Sequence, residues 1–192
     1  MAESDRQEPL MSPDEARALM YEWVQNENLR RHGEAVAACL RAAAVAEGED
    51  ADLWETVGLL HDFDWERHPT LDEHPHKGVE ILRGMGVDEV ICRAVASHAR
   101  HTGVSRETRL EKMLFACDEL AGFINAVALM RPERLGGMTP KSVRKKMKDK
   151  AFAAAVSRED ITDGAADLGV DLDAHIAFCI AALQPMAARL GL

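Results

Sequence analysis

Apolar residues recur at intervals of three and four along most of this chain, and residues that bind protons or metals lie on the same stripes. Between 29 and 43, Leu29, His32, Val36, Cys39, Leu40 and Ala43 share one helical face. Between 110 and 124, Leu110, Met113, Leu114, Cys117, Asp118, Ala121 and Ile124 do the same. No stretch alternates with the period of a β-strand, so the expected fold class is all-α. The polar members of the stripes are the tighter constraint. An ionised carboxylate or an unpaired imidazole on a buried face is costly. A fold that buries His32, His61, His98 and Asp118 must bring them together, and a shared cation would offset the cost.

Local signals divide the chain into helices. Ser12-Pro13-Asp14-Glu15 is a capping sequence, predicting a helix to about Gln25. A second runs from about Leu29 to Glu47 and stops at Gly48, and a third from about Asp52 to Asp62 carries Trp54, Val57, Leu60 and His61 inward. His74-Pro75 opens a helix to Gly84, and Asp88 caps another ending at His98. Ser105 is read as the start of the longest helix, which ends before Arg131-Pro132. Thr139-Pro140 begins a basic helix, Ser157 and Asp160 suggest a capping box, and Asp171 to Leu190 reads as one last amphipathic segment. The expectation is a single domain over 1–192, a helical bundle core at about 28–130 with the N-terminal and C-terminal helices packed around it.

Composition narrows the function classes. A formal charge of -10 argues against a broad grip on extended nucleic acid. The opening residues lack the apolar core of a signal peptide, and no run approaches the roughly 20 apolar residues of a membrane span. Cys39, Cys92, Cys117 and Cys179 form no CxxC pair and fall within apolar helical patterns, which reads as reduced core thiols in a cytoplasmic protein.

Histidine nitrogen with carboxylate oxygen suits borderline divalent metals better than an all-oxygen calcium site does. His61 and Asp62, adjacent near a helix end, can flank one ion. Around them lie Val57-Gly58-Leu59-Leu60, then His74 with Gly78 and Ile81-Leu82, then Ala96-Ser97-His98, then Cys117-Asp118-Glu119-Leu120. In this order the residues resemble the HD superfamily of metal-dependent phosphohydrolases. That resemblance implies metal held by His32, His61, Asp62 and Asp118. With His74 and His98 it resembles subfamilies that hold two metals, which extends the ligand set to six and makes Asp62 the bridging carboxylate. Further similarity, in Ala116 to Gly122, Val127 to Pro132 and Lys141 to Ala154, is to a bacterial group known mainly as predicted HD hydrolases. Phe63-Asp64 replaces the Ile-Gly of the HDIG form, and the Gly-Tyr-Pro signature of cyclic-di-GMP phosphodiesterases is missing, so that substrate is not implied.

The resemblance implies an HD-type bundle hydrolysing a phosphate ester of a nucleotide or other small phosphorylated metabolite, with one or two divalent ions (Mn, Fe, Co, Ni, Zn or Mg). The candidate catalytic residues are His61, Asp62, Asp64 and His101, with Asp64 orienting water or a ligand histidine and His101 at the pocket edge. His76 is read as either near the pocket or solvated, and His68 and His175 as surface or packing residues. Two other readings of the same ligands are a mixed-valent di-iron oxygenase and a nucleotide-binding regulatory module without turnover. Last, Lys141, Arg144, Lys145, Lys146, Lys148 and Lys150 form a basic run anchored by Val143, Met147 and Phe152. Lys145 and Lys148 are expected to overhang the pocket as substrate-binding cations.

Overall fold

The computed structural model describes residues 11–192, all-α throughout; the opening segment read above for a signal peptide lies outside them. Ser12 starts α1 (Pro13–Trp23) with the expected capping box, its side chain accepting from the Glu15 N–H while Glu15 reaches back to the Ser12 N–H. Asn26 caps α2 (Glu27–Glu47), and Gly48 ends it with a positive φ of 74° that a residue with a Cβ would resist. Asp50 caps α3 (Ala51–Leu60). This helix ends two residues sooner than expected, with His61 as its C-cap and Asp62 in the turn beyond. Gly58 lets α3 lie directly on α2, because a Cβ there would come within 2.5 Å of the Ala37 Cα.

After the turn come α4 (His76–Gly84) and α5 (Glu89–Ser97), the latter capped by Asp88 and closed by His98. The long helix α6 (Arg109–Leu129) starts at Thr108 rather than Ser105. The reason is local: Thr108 and Glu111 complete a capping box that satisfies two otherwise orphaned N–H groups. The chain continues through α7 (Pro140–Met147), α8 (Arg158–Leu168), α9 (Leu172–Leu183) and α10 (Ala187–Leu190). Residues 171–190 are therefore not one helix. Pro185 lacks an N–H and crowds the preceding turn, so a 3-10 turn at Gln184–Met186 separates α9 from α10. Ser157 makes only half of the expected capping box: its hydroxyl accepts from the Asp160 N–H, but its own N–H donates to Glu119 on α6.

A contiguous buried apolar cluster runs from Met11 to Leu190, with α2, α3, α5 and α6 around its centre and α8 and α9 packed on α6. All four cysteines are free and buried. The Sγ atoms of Cys39, Cys117 and Cys179 meet within 4.8 Å where α2, α6 and α9 converge. Arg17 ties α1 to the bundle through Glu34 on α2 and Glu55 on α3. Among the described residues no helix is long and apolar enough to cross a membrane.

Candidate metal centre

Four helices and one turn deliver six ligand-type side chains to one place. His32 comes from the second turn of α2, His61 and Asp62 from the end of α3, His98 from the end of α5, Asp118 from α6, and His74 from the turn before α4. His32 Nε2 lies 3.1 Å from His61 Nε2 and 2.9 Å from Asp118 Oδ1. Gly122, one turn beyond Asp118, lies against the His32 ring, and a Cβ there would make an ordinary contact at 3.5 Å from Nδ1. On the other side, His74 Nε2 lies 3.3 Å from His98 Nε2.

Asp62 stands between the two histidine pairs and divides its oxygens. Oδ2 is 3.6 Å from His32 Nε2 and 3.5 Å from His61 Nε2. Oδ1 is 3.2 Å from His74 Nε2 and 3.4 Å from His98 Nε2. Two three-ligand sets share this carboxylate: His32, His61 and Asp62, and Asp62, His74 and His98.

Backbone and buried side chains fix the ring tautomers. The Nδ1–H of His61 donates to the Gly58 carbonyl at 2.8 Å, and that of His98 to the Val95 carbonyl at 2.6 Å. The Nδ1–H of His74 donates to Asp64 at 2.8 Å. When neutral, each ring so held turns a bare Nε2 lone pair inward. Lone pairs that face one another at these distances repel unless a proton or a cation lies between them, so the donor set fits a divalent metal.

Electrostatics agree. Burial opposes charge on His61, but Asp62 and Asp118 outweigh it and hold the imidazolium well above its ordinary range. Burial likewise opposes charge on His74, yet hydrogen bonds to Asp62 and Asp64 raise it to about 9. Asp62 and Asp118 would be pushed up by burial, and the histidines, His61 foremost, bring both below the usual carboxylate range.

Asp64 is fully buried and spends one oxygen on His74 and the other on the Gly78 N–H at 2.8 Å. It does not line the cleft, so of the two roles foreseen, the structure gives it the orientation of a histidine rather than of water. His101 sits at the cleft rim with its Nε2–H donated to the His74 carbonyl at 2.8 Å. His76 is exposed, with its ring 6.2 Å from that of His101. His68 pairs with Glu73, and His175 is buried against the Ala116 carbonyl.

The centre opens into a cleft of about 690 Å³, with Leu29, Trp65, Leu71, Phe115, Ala155 and Val156 forming its apolar walls. The placement of Lys145 and Lys148 is a correction. Val143 is buried and docks α7 against α6 and α9, which leaves both lysines exposed and outside the cleft lining. Arg100 is the cleft's arginine instead, already paired with Asp160 and with Asp163. Glu119 also lines the cleft and was not foreseen. Burial, then the neighbouring charge of Asp118, lifts it to about 7. An acid beside a ligand on an apolar helix was the signal available for it.

A helical bundle that converges four histidines and two aspartates on one cleft defines a class of metal-binding α-domain. Residues 29–122 match the family model described as HD domain. Over those residues the chain is similar to HD domains, which are generally metal-dependent hydrolases. A curated relative, Ribonuclease Y 2 of Levilactobacillus brevis, is 30% identical over 105 residues, or 54% of this chain and 19% of that protein. The chain thus spans under a fifth of this relative. No solved structure matches it.

Proposed function

We propose that the chain works as a single HD-type domain that hydrolyses phosphate esters of small metabolites, nucleotides among them, with two divalent cations held by His32, His61, Asp62, His74, His98 and Asp118. The observation that carries this reading is Asp62, with one oxygen turned to each histidine pair. When bound, such cations supply Lewis-acid stabilisation of phosphoryl oxygens and activate water. The chain's own residues do the positioning. His61 and His98 keep their Nδ1 protons on carbonyls so that Nε2 stays free, Asp64 does the same for His74, and Asp62 fixes the spacing of the two pairs. Trp65, Leu71 and Phe115 supply a dry wall for the body of a substrate.

Small substrates are favoured over the RNA in the relative's name. Asp62, Asp118, Glu119 and Asp160 line the cleft against one already paired arginine, and the chain carries a charge of -10. The four free cysteines accord with a cytoplasmic setting.

The test is a metal-resolved screen of phosphorylated metabolites, with His61→Ala and Asp118→Ala as controls. Both substitutions are expected to abolish metal-dependent turnover while circular dichroism retains the helical signal. Activity that survives either change in metal-loaded protein overturns the assignment. Strict oxygen dependence without phosphate release would identify a di-iron oxygenase on the same ligands, and saturable nucleotide binding without product a regulatory module.

A further inference from the structure

The charges of the cleft are arranged unevenly. One part of its lining holds Asp62, Asp118, His32, His74 and His98, with His61 buried behind them, and another holds Glu119, Asp160 and Arg100. Arg100 is not free to take an anion, because one edge faces Asp160, Nη2 lies 2.6 Å from Asp163, and its guanidinium stands over the Phe115 ring. The lysines of α7 are elsewhere. Glu119 is the reverse case. Its Oε2 accepts the Ser157 N–H at 3.1 Å, which pins the side chain to the start of α8. Its Oε1 accepts no hydrogen bond from the described residues, and Glu119 is one of the residues that line the cleft.

A carboxylate held by a backbone N–H at the wall of a half-apolar cleft, with its second oxygen unpartnered, is an acceptor able to take a donor from outside the protein. Charge balance gives the same answer among the ligand-type residues. Two divalent cations, less the two aspartates that would hold them, leave about +2, which one phosphoryl dianion of about -2 neutralises. A second anion on the same molecule would meet no free cation and would face Glu119.

We propose that Glu119 is a specificity-determining residue: it restricts the cleft to substrates with one phosphoryl group whose remainder is uncharged and offers a hydrogen-bond donor, and it rejects molecules with a second anionic group. This rests on the phosphoryl group binding at the histidine end, as in the proposed function, but it is tested by binding rather than by turnover.

The probes are benzylphosphonate, its 4-carboxy analogue and its 4-hydroxymethyl analogue, which share a non-hydrolysable phosphonate and differ only at the far end. Dissociation constants are measured by calorimetry at pH 8.5, where Glu119 carries its charge, on manganese-loaded protein and on loaded Glu119→Gln, with metal content checked in both. Gln keeps an acceptor for the Ser157 N–H and removes the charge. The carboxy analogue should bind wild type about tenfold more weakly than the parent, as expected for like charges a few ångströms apart at a partly solvated site. The hydroxymethyl analogue should bind at least as tightly as the parent. In Glu119→Gln the carboxylate penalty should shrink to about threefold or less. Equal binding of the carboxy analogue to wild type, a penalty unchanged in Glu119→Gln, or no phosphonate binding at all overturns the proposal. If the expected pattern appears but no phosphate ester is turned over, the specificity assignment stands and the hydrolase reading falls.

Discussion

Gly78→Ala is the sharpest probe of how the second histidine pair is held. Gly78 is buried inside α4, and a Cβ there would fall 2.7 Å from the Asp64 Cγ and 2.8 Å from its Oδ2. Contacts that short force Asp64 to move. Asp64 is fully buried and has two partners, the Gly78 N–H and His74 Nδ1. A hydrogen bond to a charged group contributes about 1.5–3 kcal/mol, whereas Ala is favoured over Gly inside a helix by about 1 kcal/mol. The net loss is then about 0.5–2 kcal/mol if one bond is displaced and about 2–5 kcal/mol if both are. For a chain of 192 residues each kcal/mol lowers the melting temperature by about 2–4 °C. His74 would also lose the partner that sets its tautomer, so the affinity of the His74–His98 half for metal should fall about 10–100-fold. Calorimetric melting of metal-free protein and a manganese titration followed by electron paramagnetic resonance read the two effects separately. A variant that melts higher than wild type and still binds two ions with unchanged affinity would show that helix propensity outweighs the clamp, and the reasoning would be refuted.

Other outcomes follow from the same geometry. His74, ordinarily near 6.5, is held at about 9, so its stabilising contribution to metal-free protein is complete below about pH 6.5 and is lost as the pH rises through 9; denaturant melts of chelator-treated protein at pH 6 and pH 9.5 should show it. A cation must displace that proton, so apparent metal affinity should climb with pH across the same window, by up to about tenfold per unit for each proton released, which titration in two buffers of different ionisation enthalpy can count. Lys145→Glu combined with Lys148→Glu should leave the Michaelis constant of any identified substrate within about twofold, because neither residue lines the cleft. Ser157→Ala should cost about 0.5–2 kcal/mol through loss of the α8 cap, measurable by urea denaturation.

The all-α class and the main capping sites were legible because each rests on neighbours in sequence: the Ser12–Glu15 box, Gly48 and Asp88 act within a few residues of themselves. Four of the six ligand-type residues, His32, His61, His98 and Asp118, were legible for another reason, since a carboxylate or imidazole on an apolar stripe needs a partner wherever the fold puts it; Asp62 and His74 lie in turns and were suggested by the family resemblance. Competing local signals produced the misreadings. Ser105 and Thr108 are both plausible caps, and only the reciprocal Glu111 decides between them. Pro185 breaks a segment whose apolar period continues past it. The basic run failed differently: spacing shows that Lys145 and Lys148 share a side with one another, but which way that side faces depends on where Val143 docks. For the same reason the choice between the two roles read for Asp64, and the role of Glu119, were beyond reach, because they depend on residues 14 and 38 positions away, at the Gly78 and Ser157 N–H groups.

The division of Asp62 between its two neighbours has a thermodynamic corollary. A carboxylate whose halves serve different occupants cannot reorient for one without consequence for the other. The first ion to arrive would fix the Asp62 rotamer for the second and at the same time oppose it by charge. By linkage, whatever factor the first applies to the affinity of the second must be returned unchanged when the filling order is reversed. If two ions bind as proposed, half-loaded protein would be a composite of two species, with the balance between them set at this one side chain. A metal titration of the centre should be fitted as one coupled system rather than as two separate sites.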